Sequence, residues 1–598
     1  MPIVSLKEFL SRPLDYLIVG GGTAGLCLAA RLSEDRDAIV GVLEAGEYNP
    51  NVPVIDVPGS LLVPSQSAAF DDFQASSGGA VANPAYDWTF YTEDQPCVNG
   101  RKMRLPQGKG LGGSSQINFL GIVRPSKEEY DAIEELGNKG WNWHSLLEAT
   151  KRSEHTVPSE HTPEQAQELA IRPDPHSMGK MSFSTSQSPV YAKLFDALEH
   201  LHVPRNPEPG GGFAVDSTFV YNTVDPRTAT RSYAATGYYE PNAERPNFLV
   251  LTGASATKVI FDSVDLREGK RRATGVEFKK DGSRSWAAVK KDVILSAGSL
   301  QSPKLLEVLS KISLLYSRFE IFGQLSGIGN TTFLEKHGIE TLVELPGVGE
   351  NLRNGLFHAY AVKSRRVFYR RFKLLRISLS PGPASKLGDA QAWRDAANVQ
   401  CTAYLASINN PQLRAGLARQ VSFYTGHFPV PTLQPKPGKR YMTLNASILH
   451  PFSRGSVHIR SSDPSEPPAI DPQYFSNSVD LEILIHTVKL ALKLYETEPL
   501  TELVVPDGLV FPTKDDLEGD RLREFVKNTR STVYHPLGTA AMMPRDLGGV
   551  VDNTLRVYGT DNLRVVNMSV FPMELASHTQ SSAYAVGEMA ADIIKRGV

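Results

Sequence analysis

The sequence predicts an α/β protein that opens with a β-α-β unit, and three observations lead to this fold class. The apolar run Tyr16 to Val19 is typical of a buried parallel strand. Small and apolar residues from Ala24 to Leu32 favour a helix. A second apolar run, Ile39 to Leu43, predicts another strand, which ends at Glu44. Glycines separate the first strand from the helix, so we expect a tight turn there.

The glycines of this turn have a spacing that predicts dinucleotide binding. They stand as Gly-x-Gly-x-x-Gly between strand and helix, where backbone N–H groups and the helix N-terminus can approach a pyrophosphate. Glu44 follows Gly25 by 19 residues, and a carboxylate there can accept hydrogen bonds from a ribose diol. The pattern fits FAD and NAD equally. The residues that we assign to the dinucleotide are Gly20, Gly22, Thr23, Ala24, Gly25 and Glu44.

The size and charge of the chain indicate its organisation and its class of partner. A length of 598 residues exceeds one ordinary domain, so two or more domains are expected. Lys plus Arg number 63 against 65 Asp plus Glu, so no strong net charge attracts nucleic acid, and a small-molecule partner is expected. Cys27, Cys97 and Cys401 are too few and too scattered to form a disulfide framework or a metal site.

The N-terminus and the hydropathy pattern predict a cytoplasmic protein. Met1 to Leu10 lacks the apolar core of a secretory signal. Nowhere do about 18 consecutive apolar residues predict a membrane span. We therefore expect no membrane partner.

A second glycine-rich loop runs from Gly108 to Ser115 and leads to Asn118. Because glycines lack side chains, the backbone of such a loop can approach a flat ligand closely. The loop resembles the first signature of the glucose-methanol-choline (GMC) oxidoreductases, in which it runs along the flavin. Fungal aryl-alcohol oxidases and choline dehydrogenase-like proteins are the most similar members in character. The likeness recurs at Asp87-Trp88, Gly140-Trp141, Ser296-Ala297-Gly298, Ser302-Pro303 and Leu325-Ser326-Gly327-Ile328-Gly329.

The resemblance implies an FAD-binding domain of Rossmann-like α/β fold, interleaved with an α+β substrate-binding domain whose sheet lies over the flavin. The implied FAD-binding segments are 1–155, 226–350 and 531–598, and the implied substrate-binding segments are 156–225 and 351–530. A strand from Val250 to Val259 is implied to pass the adenine. The residues that the resemblance adds to the cofactor site are Gly108, Gly112, Gly113, Ser114, Asn118, Ala256 and Asn567.

Two histidines near the C-terminus complete the implied site. His535 is followed 43 residues later by His578, with strand-like runs at 549–552 and 563–566 between them. The GMC family places its catalytic pair in these contexts. Hydride leaves a carbinol easily only as the hydroxyl proton leaves, and imidazole is suited to take that proton. The resemblance assigns proton abstraction to His535, hydrogen bonding of the substrate oxygen to His578 and hydride acceptance to flavin N5, with swapped or shared roles left open.

The last helix is predicted from about Ser582 to Arg596, because apolar residues recur there near helical spacing. Packing is its main expected role. In the GMC family the N-terminal end of this helix lies near the flavin, so the helix dipole is expected to act on an electron-rich ring.

The leading hypothesis is oxidation of a primary or secondary alcohol in fungal secondary metabolism, with oxygen or a quinone as electron acceptor. Three other functions stay open. Resemblance to a few GMC members of fungal polyketide pathways implies a dehydrating cyclase that keeps its flavin without redox turnover. A catalytically silent binding protein would need neither histidine. An NAD-dependent dehydrogenase would need neither the second glycine loop nor the C-terminal histidines.

The sequence departs from the family pattern at three sites, one of which is a pair of residues. Asn567 stands where relatives usually carry Asp beside the cofactor, and Asn354-Gly355 stands where they usually carry Asp-His. Ile122 replaces a usual aromatic residue. These changes are compatible with the fold and bear on hydrogen bonding to the flavin.

An insertion, Val308 to Gln324, interrupts a signature that runs without a break in the family. Its 17 residues correspond to 51 nucleotides. Because every valine codon begins with GT and one glutamine codon ends with AG, we hypothesise that the segment is a translated intron. We expect the sequenced mature transcript to lack these nucleotides, and a mature message that contains them contradicts the hypothesis.

Overall fold

Two large β-sheets organise the chain in a computed structural model. The structure describes residues 3–57, 80–157, 179–182, 189–206, 210–212, 216–225, 228–262, 270–311, 325–364, 375–378, 421–426 and 441–597. The α-helices within these ranges are Leu6–Phe9, Thr23–Leu32, Pro53–Asp56, Lys127–Glu135, Trp143–Ser153, Pro189–His200, Gly298–Glu307, Thr331–Lys336, Ser478–Tyr495, Asp520–Thr529 and Gln580–Lys595. Within the described part of the chain, none of the helices combines the length and apolar character that crossing a bilayer requires.

The first sheet contains five parallel strands that carry the cofactor site. They are β1 (Leu14–Val19), β2 (Val40–Leu43), β3 (Phe248–Leu251), β4 (Ser283–Leu295) and β5 (Leu563–Val565). Their spatial order is β3-β2-β1-β4-β5. The strand order reverses between β1 and β4, and in doubly wound sheets a dinucleotide binds at this point, outside the carboxyl ends of the strands.

The predicted β-α-β unit is confirmed, with strand and helix bounds shifted by one or two residues. The helix α1 (Thr23–Leu32) links β1 to β2, and these two strands pair in parallel from Tyr16 and Val40 onwards. Both strands are buried nearly throughout, which explains why they read as continuous apolar runs rather than alternating ones. Each fully buried aliphatic side chain in them contributes about 1.5–3 kcal/mol.

The predicted strand Val250–Val259 is wrong, because the chain turns at Thr252–Ala254 and divides the run. The first part belongs to β3, and the second begins the strand Ser255–Phe261, which is antiparallel to Ala273–Lys280. The predicted strand at 549–552 is also absent, and Val551 makes only isolated bridges. Beyond β4 the sheet continues through Ala273–Lys280, Ser255–Phe261, Leu309–Lys311, Leu325–Gly329 and Glu340–Glu344.

The second large sheet is antiparallel and gathers strands from distant parts of the chain. Its strand order is Val504–Phe511, Leu356–Ser364, Tyr441–Ile448, Val421–Gly426, Leu375–Ser378 and Asp216–Phe219, with Ser531–Thr532 beside Leu356 and Phe357. A smaller sheet contains Gly121–Ile122, Tyr221–Asn222, Gly179–Ser182 and Glu154–Val157. Short two-stranded ribbons are Phe90–Tyr91 with Arg104–Leu105, Val224–Asp225 with Thr230–Arg231, and Ser456–His458 with Ala469–Asp471.

The chain passes repeatedly between the two large sheets. It leaves the first sheet after β2, visits the second at Asp216–Phe219, and returns to the first for β3. The domain boundaries that we drew from the sequence stay predictions. Of the proposed intron, 308–324, the residues 312–324 lie outside the described ranges, and Leu309–Lys311 forms a strand.

A half-buried histidine joins the helix α2 (Gly298–Glu307) to the ribbon strand Ser456–His458. The Nδ1 atom of His458 lies 2.6 Å from Glu307 Oε1, and its Nε2 atom lies 3.1 Å from Glu350 Oε1. Burial lowers the pKa of His458, but the hydrogen bonds with the two glutamates outweigh it and raise the pKa to about 9. The junction therefore holds a charged imidazole at neutral pH.

We expect His458→Gln to destabilise the protein in a pH-dependent way. The raised pKa stabilises the fold fully below about pH 6.5, the usual histidine value, and this contribution is lost as the pH rises through 9. Urea unfolding should therefore show a deficit of about 2 kcal/mol near pH 6 that shrinks toward pH 9.5. The control is His144→Gln at an exposed position. A deficit equal at both pH values would contradict the charged junction.

Candidate functional site

A cavity of about 480 Å³ lies at the carboxyl ends of β1, β2 and β4, where a ligand is expected for this topology. Val19, Leu43 and Ser296, which end or follow these strands, line it. The sequence-predicted site residues that line the cavity are Gly20, Gly22, Thr23, Ala24, Glu44, Gly108, Gly113, Ser114, Asn118, Ala256, His535, Asn567 and His578.

Gly25 and Gly112 do not line the cavity, although we assigned both to the cofactor. A Cβ added to Gly25 would lie 2.1 Å from the carbonyl oxygen of Gly20, so this glycine lets α1 pack against the end of β1. Gly112 has a φ of +113°, and a Cβ there would meet the ring of Tyr233 at 2.6 Å. Neither glycine lines the cavity, but both allow the close packing that positions its wall.

The N-terminus of α1 faces the cavity. Gly22 is its N-cap and supplies no side-chain hydrogen bond, so the first N–H groups of the helix are left for a ligand. Gly22, Thr23 and Ala24 all line the cavity. Unpaired N–H groups and the helix dipole together favour a phosphate at this position.

The carboxylate of Glu44 connects the two glycine loops. Its Oε2 atom accepts a hydrogen bond from Gly21 N at 2.8 Å, and its Oε1 atom accepts from Gly46 N at 2.8 Å and Gly110 N at 3.1 Å. Burial raises the pKa of Glu44 to about 7, against these backbone donors, which lower it. Each carboxylate oxygen has two acceptor sites, so Oε2 retains one for a ribose hydroxyl.

The second glycine loop packs against the first, backbone to backbone. Gly112 N donates to Gly21 O at 2.8 Å. A Cβ added to Gly113 would lie only 2.7 Å from the Cα atom of Gly22, so a side chain there would push the loops apart. Because the two loops are in contact, both form walls of the same cavity.

Asn567 ties the end of β4 to the loop that follows β5. Its Nδ2 atom donates to Leu295 O at 3.1 Å and Ser302 Oγ at 2.9 Å, while its Oδ1 atom accepts from Ser569 N. An ionised aspartate could not donate to the carbonyl of Leu295. The asparagine at this position therefore makes a hydrogen bond within the protein that the ionised aspartate usual in the family could not make.

The two histidines meet at the cavity although 43 residues separate them. His578 Nδ1 lies 3.2 Å from His535 Nε2, and the rings meet edge to face at 85° with centroids 5.2 Å apart. His535 is 9% exposed. A hydrogen bond between two imidazoles needs one donor and one acceptor nitrogen, so the pair shares a single proton along this contact.

Asn354 holds the backbone of His535 in place. Its Oδ1 atom accepts from His535 N at 3.1 Å, and its Nδ2 atom donates to Tyr474 Oη at 2.7 Å and Thr532 Oγ1 at 2.6 Å. Thr532 belongs to the short strand that leads into the histidine. The Asn354-Gly355 departure thus includes a residue that positions His535.

Other side chains that line the cavity were not predicted from the sequence. Gln580 follows His578 by two positions, so a search outward from the histidine would have found it. No sequence motif marks Lys304. It is nevertheless 7% exposed, and burial lowers its pKa to about 8. These unassigned side chains include Gln107, Phe119, Gln301, Lys304, Tyr534 and Gln580.

The side chains fit an FAD-sized polar ligand. The Oε1 atom of Gln107 and the Nε2 atom of Gln580 are buried, and the described part of the chain offers neither atom a partner in hydrogen-bond geometry. Buried polar atoms without partners are costly, so a ligand that supplies an acceptor and a donor would satisfy them. Together with the α1 N-terminus and Glu44, these atoms can hold both ends of a dinucleotide.

The cavity joins a dinucleotide fingerprint to a histidine pair, as expected of a flavin-dependent oxidoreductase, and comparison with known proteins gives the family. The chain belongs to the GMC oxidoreductases, whose family models match residues 14–355 and 451–587. FAD is the cofactor of this family and hence of this protein.

Similar proteins span almost the whole chain. A GMC oxidoreductase family protein of Malassezia sympodialis, Mala s 12, is 32% identical over 97% of this chain and 92% of its own length. Dehydrogenase mpl7 of Monascus purpureus is 32% identical over 100% of this chain and 98% of its own length. The solved structure of a fungal aryl-alcohol oxidase, 26% identical, superposes with a TM-score of 0.75 over 98% of this chain and 99% of that one.

We expect Asn354→Ala to lower kcat about tenfold with little change in FAD content. The substitution leaves the histidine in place but removes the acceptor that fixes its backbone, a contribution of about 1–1.5 kcal/mol. Steady-state kinetics and the visible spectrum of the purified protein measure the two quantities. Asn553→Ala, at an exposed position, is the control. An unchanged kcat would contradict a positioning role for Asn354.

Proposed function

We propose that this protein uses FAD to oxidise a primary or secondary alcohol. The observation that supports the proposal best is the contact between His535 and His578 at the cavity, with 3.2 Å between the facing nitrogens. Two imidazoles at this distance do not readily carry a charge each, because like charges disfavour double protonation. One ring therefore accepts a proton while the other donates a hydrogen bond.

In the proposed reaction His535 takes the hydroxyl proton and His578 donates a hydrogen bond to the substrate oxygen. Bound FAD supplies the hydride acceptor, N5 of the flavin. Asn354 fixes the backbone of the base, and α3 (Gln580–Lys595) begins directly after His578-Thr579 and fixes the donor. Their contact lets a proton pass between the rings, so exchanged roles fit the same geometry.

The substrate end of the cavity favours an alcohol on an apolar or aromatic group. Phe119 and Tyr534 line the cavity, and their rings stack at 30° with centroids 6.4 Å apart. Tyr534 directly precedes His535, so the aromatic pair lies beside the base. An aromatic wall binds an apolar substituent better than a polyhydroxylated one. The family relative described as an aryl-alcohol oxidase has the same fold.

We expect His535→Ala to lower kcat by about 100- to 10,000-fold, the usual range for loss of a general base. His578→Ala should give a loss of similar size, and the double variant should lose little more, because the pair acts as one unit. Stopped-flow measurement of flavin reduction gives the rates, and the visible spectrum shows that FAD remains bound. The exposed His144→Ala is the control. Additive losses would contradict a shared function.

The decisive experiment is anaerobic reduction of the bound flavin by alcohols. We expect benzyl alcohol to bleach the visible flavin absorption and glucose to leave it unchanged, after which oxygen and a quinone are each tested for reoxidation. Dithionite, which reduces flavin without an alcohol site, is the control for a competent cofactor. If no alcohol bleaches a flavin that dithionite reduces, alcohol oxidation is wrong and a dehydrating cyclase that retains its flavin is favoured.

A further inference from the structure

Gln580 places a buried hydrogen-bond donor at the cavity. It is the first residue of α3 and 7% exposed, and its Nε2 atom lies within hydrogen-bond geometry of no acceptor among the described residues. Tyr584, one turn further along the helix, lies near this amide, and burial raises the pKa of the Tyr584 hydroxyl while the Gln580 side chain lowers it. The NH₂ group has two hydrogens, so at least one N–H remains for a ligand. A buried N–H group without an acceptor is costly, so this atom is matched to a ligand.

The orientation of the Gln580 amide is determined by its neighbour Asn118. The Oδ1 atom of Asn118 accepts hydrogen bonds from Arg231 Nη1 at 2.9 Å and Leu120 N at 3.0 Å. Two donors at this atom identify it as the oxygen, so Asn118 must present its NH₂ group to Gln580. Asn118 Nδ2 donates to Gln580 Oε1 at 2.7 Å. The NH₂ group of Gln580 is therefore the end that is left for the cavity.

A buried guanidinium starts this chain of hydrogen bonds. Arg231 is 2% exposed, and it also donates to the carbonyl oxygens of Ile55 and Ser115. Burial lowers the pKa of Arg231 to about 9, so the group stays protonated at neutral pH. Hydrogen bonds aligned in one direction polarise one another, and a charged donor at the start strengthens those that follow.

We propose that the chain Arg231–Asn118–Gln580, which we call the donor relay, directs a hydrogen bond from Gln580 Nε2 to an acceptor atom of the isoalloxazine ring. The assignment rests on the proposed function, which places that ring against the histidines. Gln580 lies two residues from His578 and lines the same cavity. The relay and the N-terminal end of α3 both favour negative charge, which the ring gains on reduction. The relay therefore raises the reduction potential of the bound flavin.

The test measures the cofactor itself and uses no alcohol. Sulfite adds to oxidised flavin more tightly when the protein stabilises negative charge on the ring, so its affinity and the reduction potential report the same effect. We expect Gln580→Met to weaken sulfite binding about tenfold and to lower the potential by about 30 mV, the two-electron equivalent of tenfold. FAD content is checked by absorbance.

Asn118→Asp is a second variant of nearly unchanged shape. A carboxylate pairs with Arg231 but cannot donate to Gln580, so the Gln580 amide must turn and present its oxygen to the cavity. We expect a larger loss of sulfite affinity than in Gln580→Met, because a donor is replaced by an acceptor. Gln580→Glu replaces the same donor by a carboxylate and keeps the side-chain volume. Its loss of sulfite affinity should also be larger than that of Gln580→Met.

Gln116→Met is the matched control. Gln116 is also buried with unpartnered amide atoms, but it does not line the cavity, so its replacement should leave both readouts unchanged. Sulfite affinities within twofold of the unaltered protein in the Gln580 variants and in Asn118→Asp would overturn the relay. Because the readouts need no alcohol, this outcome is distinct from a failure of alcohol oxidation.

Discussion

The site depends on one physical constraint, the close approach of two glycine loops around the buried carboxylate of Glu44. Burial of a charge is costly, and the backbone N–H groups of Gly21, Gly46 and Gly110 offset that cost. Side chains at the contact would separate the loops, as the 2.7 Å distance from a Gly113 Cβ to the neighbouring loop shows. The phosphate and ribose walls are therefore held together by contacts within the protein.

The C-terminal helix α3 packs on α1 and so links the glycine loops to the histidines. Gly587 of α3 lies so near α1 that an added Cβ would meet Ala24 O at 2.8 Å, and Arg31 donates to Glu588 at 2.9 Å. The helix that begins at the phosphate loop is thus packed on the helix that begins beside His578. This helix pair consequently fixes the first glycine loop relative to His578 and Gln580.

The sequence predicted what local spacing determines. The unit β1-α1-β2, the glycine fingerprint and the histidine contexts follow from periodicity or from short motifs, and the family comparison confirmed the fold class and FAD. The division of the Val250–Val259 run was missed because apolar character alone does not show where a chain turns. Asn354 and Asn118 were singled out, but their contacts with His535 and Gln580 were missed because these join residues 181 and 462 positions apart. No local pattern contains such pairs.

The order of the elements along the chain has a consequence for biosynthesis. The fingerprint that holds the dinucleotide lies within the first 50 residues, whereas β5, both histidines and α3 come from the last 70. Strand β5 adds to the parallel sheet beside β4, and α3 packs on α1. A nascent chain on the ribosome therefore has an open sheet edge and an uncovered α1 until translation is almost finished. The complete cofactor site accordingly assembles only once the last 70 residues of the chain have been made.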